Sequence, residues 1–130
     1  MDKKIISTGA IFGIVAIILG AFGAHALKKV LSLDQLSTFE TGVRYQMYHA
    51  LFLLLIGIMT DLTQKTKKAI FYLVLFGVLF FSGSIYLLAT NSLTCFDFKV
   101  IGFVTPIGGL LLMLGWLVLF YAILNKKRVQ

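Results

Sequence analysis

Few side chains in this 130-residue sequence have the chemistry to bind or react, and they cluster in four stretches. Gly20-Ala21-Phe22-Gly23-Ala24-His25-Ala26-Leu27 carries one imidazole. Arg44-Tyr45-Gln46-Met47-Tyr48-His49-Ala50-Leu51 carries the other, with a guanidinium, an amide and two phenols. Phe81-Ser82-Gly83-Ser84-Ile85-Tyr86-Leu87 adds two hydroxyls and a phenol, and Thr105-Pro106-Ile107-Gly108-Gly109 adds one more hydroxyl. An imidazole titrates near neutral pH, so His25 and His49 suit a proton relay or a pH-dependent ligand contact. They equally suit interfacial caps bonded to backbone. Haem held by both histidines is a further alternative, although two ligands alone are too few for most metal sites. Asp34, Glu40, Asp61 and Asp97 fall outside the apolar runs or at their ends, so no paired carboxylates are placed for acid–base work. No phosphate loop, nucleophile elbow or zinc motif occurs. Catalytic residues, a metal and a cofactor are therefore not expected.

The elements that hold these stretches are read from composition. Hydrophobic residues make up 59% of the chain and mean hydropathy is +0.97, more than a water-soluble interior can hide. The expected solvent is lipid. Net charge is +7, from 12 basic against 5 acidic residues. The basic residues sit at the ends of apolar runs rather than on one face among base-stacking aromatics. That pattern reads as membrane topology and contact with anionic lipid, not nucleic acid. With one cysteine, no internal disulfide can form, and Cys95 reads as an inert loop thiol.

The expected fold is an all-α membrane protein, one four-span domain over 1–130, with spans at about 5–27, 45–62, 69–90 and 100–124. Short loops make neighbouring helices antiparallel and leave both termini on one side. A cleaved signal peptide competes for the first run, given the basic head and Ala24-His25-Ala26, but the run is longer than a signal core. Ser32 and Gln35 fit a capping box. Leu33, Leu36, Phe39 and Val43 then recur at helical spacing. This predicts a short amphipathic helix in the interface between the first two spans, or an early start to the second. Lys3, Lys4, Lys65, Lys67, Lys68, Lys126, Lys127 and Arg128 fall on the side of the termini, against Lys28, Lys29, Arg44 and Lys99 opposite. The basic excess places both termini in the cytoplasm of a cell-membrane protein.

Small residues at Gly9, Gly13, Ala16, Gly20 and Ala24 form a stripe that packs within one chain or, alternatively, forms a homo-oligomer face. Pro106 is expected to break span four by removing its bond to the Gly102 carbonyl. Counted along the helices at about 1.5 Å per residue, all four spans bring polar groups to similar depth near the outer surface. The expected site is a single outer-leaflet pocket of His25, Arg44, Tyr45, Gln46, Tyr48, His49, Ser82, Ser84, Tyr86 and Thr105. Trp116 reads as an anchor in the aromatic belt.

The four stretches, in this order, resemble the domain-of-unknown-function 423 family, which includes the transmembrane protein 256 relatives. The resemblance covers nearly the whole chain. It implies a small integral membrane protein with no established activity, and it carries over no catalytic residues. Two functions fit these readings. One is binding of a membrane lipid, quinone or other small amphiphile in the pocket. The other is an accessory subunit of a larger membrane complex. A proton-coupled drug exporter fits poorly, since no carboxylate is read inside a span.

Overall fold

The computed structural model describes residues 1–126, and among these every regular element is helical. Four long helices follow one another: α1 (Asp2–His25), α2 (Leu33–Ile58), α3 (Gln64–Ala89) and α4 (Val104–Leu124). Single 3₁₀ turns at Leu27–Lys29, Asn91–Leu93 and Phe98–Ile101 serve the connections. By length and composition α1, α3 and α4 are apolar enough to cross a membrane. At 26 residues α2 is equally long, but its middle turns carry the polar side chains from Arg44 to His49.

The helices pack antiparallel in chain order, α1 on α2, α2 on α3 and α3 on α4. The indole of Trp116 reaches back from α4 and stacks on Phe52 of α2 at 4.1 Å between centroids. Thus α2 and α3 form the centre, with α1 and α4 on the flanks. Ile5, Leu53, Ile56, Ile70, Val74 and Leu112 fill the main core. Backbone approach sets the two outer seams. A Cβ at Gly9 would lie 2.9 Å from the Ala50 carbonyl, and one at Gly108 would overlap the Phe81 backbone. The stripe on α1 therefore meets α2 of the same chain, the close approach that small residues allow where lipid offers no hydrophobic drive.

Two expectations change. Of the two readings of the segment after α1, the early start of the second span is the one seen, and no separate interfacial helix occurs there. Ser32 accepts from the Gln35 backbone N–H, Gln35 returns a bond to the Ser32 N–H, and the helix they start runs unbroken to Ile58. Nothing between Val43 and Tyr45 stops it: Gly42 lies under Tyr86 and Ile85, so it serves helix contact rather than termination. Pro106 likewise lies in the first turn of α4, which starts at Val104. Its missing N–H is one that has no partner within the helix anyway, so no ladder bond is lost.

One end of the bundle is tied by charge. Lys67, only 2% exposed, donates to Asp2 Oδ1 at 3.0 Å and to the Gly57 carbonyl at 3.2 Å. Lys126 pairs with Asp61 at 2.9 Å. These pairs bring the start of α1, the α2–α3 turn and the end of α4 together, so both ends of the described chain share one side. Lys127 and Arg128, counted in the charge bias, lie outside the described residues. Asp2 precedes the apolar run. Hydrogen bonds from Lys67 and then Gln64 hold its carboxyl below the ordinary carboxylate range.

Candidate functional site

The register of α1 on α2 decides where the polar groups fall. Gly23 meets Phe39, Gly20 meets Val43 and Gly13 meets Ala50. His49, beside Ala50, is therefore level with the middle of α1. His25 ends that helix, twelve residues beyond Gly13 and about 18 Å further out. The expected equal depth assumed that the second span begins near Tyr45. The early start of α2 at Leu33 places His49 four turns in rather than one.

His49 is buried, and both ring nitrogens are engaged. Nδ1 lies 2.7 Å from the Tyr45 carbonyl, which can only accept, so Nδ1 carries the hydrogen. Nε2 then accepts from the Trp116 indole N–H at 3.1 Å. His25 is exposed at the helix end. The two imidazoles are not offered to one iron.

Gln46 links α2 to both of its sequence neighbours. Its amide N–H donates to the Phe12 carbonyl on α1 at 2.9 Å, and its carbonyl oxygen accepts from the Tyr86 hydroxyl on α3 at 2.6 Å. Ser82 donates to the Gly42 carbonyl at 2.7 Å, a second tie between α2 and α3. Ser84 and Thr105 hydroxyls join α3 to α4 at 2.5 Å. Each pair of neighbouring helices, and α2 with α4, thus shares a side-chain hydrogen bond. Among the described residues no buried side-chain nitrogen or oxygen lacks a partner. Six of the ten expected residues (Gln46, His49, Ser82, Ser84, Tyr86 and Thr105) serve this fastening. His25, Arg44, Tyr45 and Tyr48 are exposed and stand apart from it.

Space remains beside the network. A half-open groove of about 300 Å³ runs between α1 and α3, walled by Phe12, Val15, Val78 and Leu79 and floored by Gln46 and Tyr86. Gly83 lines it too, and a Cβ there would meet nothing within 4 Å. A second groove of about 240 Å³ lies between α2 and α4, walled by Tyr45, Phe81, Met113 and Trp116 with His49 behind them. Neither has a charged side chain in its lining. In the first, Gln46 keeps one amide N–H and Tyr86 keeps oxygen lone pairs beyond the bonds described. That floor offers one neutral donor and one neutral acceptor to an occupant.

Trp116 and Lys67 were not foreseen as network members. The signal for Trp116 was its depth: it sits near the middle of α4, too far from either end for an interfacial belt. Lys67 reads in sequence as one more loop lysine, and nothing local distinguishes it from Lys65 or Lys68. Groups of three or more His, Cys, Asp or Glu able to hold a metal do not occur among the described residues.

A family model described as "Protein of unknown function (DUF423)" matches residues 19–109. A UPF0382 membrane protein of Staphylococcus saprophyticus is 44% identical over 117 residues, covering 90% of this chain and 93% of the relative. One from Haemophilus influenzae is 35% identical over 127 residues, 98% of both chains. UPF0382 membrane protein YwdK of Bacillus subtilis is 34% identical over 122 residues, 92% of this chain and 95% of its own. No solved structure matches.

Proposed function

The chain belongs to the DUF423 family of proteins of unknown function, whose relatives are named membrane proteins, and from that premise we propose that it is a four-span membrane protein binding an uncharged amphiphile in the groove between α1 and α3. As the fourth crossing, α2 turns Gln46 and His49 to its neighbours, as buried polar groups in lipid require. The basic excess on the side of the termini supports a cytoplasmic side for both in a cell-membrane protein.

The observation that carries the reading is the Gln46–Tyr86 pair at the floor of an otherwise apolar groove. Binding sites for small molecules pair an apolar wall with a few converging polar groups. Here the polar groups are neutral, which favours a carbonyl or hydroxyl on a hydrocarbon body: a quinone, an ester or a long-chain alcohol. A charged headgroup would find no partner there and would bear the desolvation cost.

The test uses a long-chain alcohol carrying a photoreactive diazirine, with the purified full chain in lipid nanodiscs. Labelling should concentrate on peptides containing Val15 and Leu79, and a long-chain quinone should compete for it. Gly83→Leu fills the groove from a position with open space and should remove most of that labelling. Label spread evenly over the outer face of α4, or labelling indifferent to Gly83→Leu, would refute the site.

A further inference from the structure

A second feature lies on the outer half of the α1–α2 seam. Glu40, Val43 and Arg44 of α2, with Gly20 of α1, line a groove of about 260 Å³ floored by Phe39. Glu40 and Arg44 are both exposed, one turn apart on the same face of α2. Acid four residues before base is the favourable order for a helical pair. Yet neither enters an ion pair among the described residues, where the pairs are Lys67–Asp2 and Lys126–Asp61. Neither side chain makes a hydrogen bond there either. An unpaired guanidinium and an unpaired carboxylate thus sit at the mouth of one groove, about 6 Å apart along the helix.

Their order along the helix is informative. The α1–α2 register sets Glu40 level with Gly23, near the outer end of α1, and Arg44 level with Gly20, nearer the centre. The base is deep and the acid is shallow. A zwitterionic phospholipid has the complementary order: its phosphate is attached next to the glycerol, and its amine lies further from the hydrocarbon. We infer that the Glu40–Arg44 groove holds the headgroup of a phospholipid bearing a primary amine, with phosphate on Arg44 and ammonium on Glu40. Arg44 presents the planar fork that matches phosphate oxygens. Each ammonium N–H can donate to the carboxylate. Val43 and Gly20 form the wall of the groove at the level of the phosphate. The site is separate from the Gln46–Tyr86 groove, whose floor faces α3.

Native mass spectrometry of the full chain tests this, from micelles holding phosphatidylethanolamine and phosphatidylglycerol of matched chains. An exposed ion pair supports a preference for phosphatidylethanolamine of about two- to fivefold. Arg44→Gln should lower retention of both lipids about two- to fivefold, and Arg44→Lys should restore most of it. Glu40→Gln should abolish the preference while phosphatidylglycerol stays bound. Equal or greater retention of phosphatidylglycerol by the unaltered chain overturns the assignment. So does a lipid ratio unmoved by Glu40→Gln, or Arg44→Gln that retains lipid normally. Both side chains are exposed, so helicity by circular dichroism should be unchanged. Gly83→Leu should leave this retention intact, which separates the site from the groove between α1 and α3.

Discussion

Gln46→Leu is the substitution that most directly tests the polar fastening. The side chains are similar in size, so the change removes hydrogen bonds with little loss of volume. Two bonds go: the one to the Phe12 carbonyl at 2.9 Å and the one from the Tyr86 hydroxyl at 2.6 Å. Interhelical hydrogen bonds in membranes contribute about 0.6 kcal/mol on average and up to about 1.7. The Phe12 carbonyl keeps its own helical partner. The Tyr86 hydroxyl is left without an acceptor beside an apolar groove, at a cost of about 1 kcal/mol or more. The expected loss is about 2 kcal/mol. Tyr86→Phe removes one bond and leaves Gln46 able to hold Phe12, so it should cost about 1 kcal/mol. The double variant should be no less stable than Gln46→Leu alone, because position 86 then has no hydroxyl to strand. Unfolding in mixed micelles of rising denaturing-detergent content, followed by the emission of Trp116, measures all three. Strict additivity of the single effects would show that the two side chains are not coupled, and the reasoning from geometry would fail.

Other outcomes follow from the same packing. Gly108→Ala must push α4 off the Phe81 backbone and should destabilise by about 1–3 kcal/mol, whereas Gly83→Ala should be close to neutral; the same unfolding assay ranks them. His49→Leu removes the acceptor of the Trp116 N–H, which should cost about 1 kcal/mol and shift the emission of this sole tryptophan in the folded protein. Asp2→Asn should lower thermal stability at neutral pH by loosening the tie to Lys67. The Asp2 carboxyl is held below its ordinary value. Its contribution is therefore present above the unfolded carboxylate range and lost as pH falls through the lower folded value. Melting curves of Asp2→Asn and the unaltered chain should converge below about pH 4.

Much of the scaffold was legible because lipid imposes simple rules. Long uncharged runs predicted helices, Ser32 and Gln35 predicted the start of α2, and the glycines of α1 predicted a close seam. The family resemblance read from the four polar stretches agrees with the match over residues 19–109. What sequence could not supply was register. Placing the second span at Tyr45 treated twelve residues of α2 as surface structure, and His49 was consequently raised by three turns. That one displacement turned a row of separate interhelical bonds into an expected common pocket. It also left Glu40 outside the second span, when it rides on the same continuous helix as an unpaired arginine, one turn before it. Hydropathy alone undervalues α2 because its polar groups are spent on neighbours, a fact visible only once the neighbours are in place.

The pairing of helices in chain order has a consequence for how the protein is made. Each closely packed seam, α1 on α2 and α3 on α4, lies within one hairpin, and its glycines meet residues supplied by that same hairpin. The first half can therefore zip shut while the second is still being synthesised. The later docking of α3 on α2 then closes the core around Leu53, Ile56, Ile70 and Val74, while Ser82, Tyr86 and the lysine at position 67 find acceptors already in place. A polypeptide cut in the turn between Met59 and Thr63, with its halves produced separately in one membrane, should reassemble.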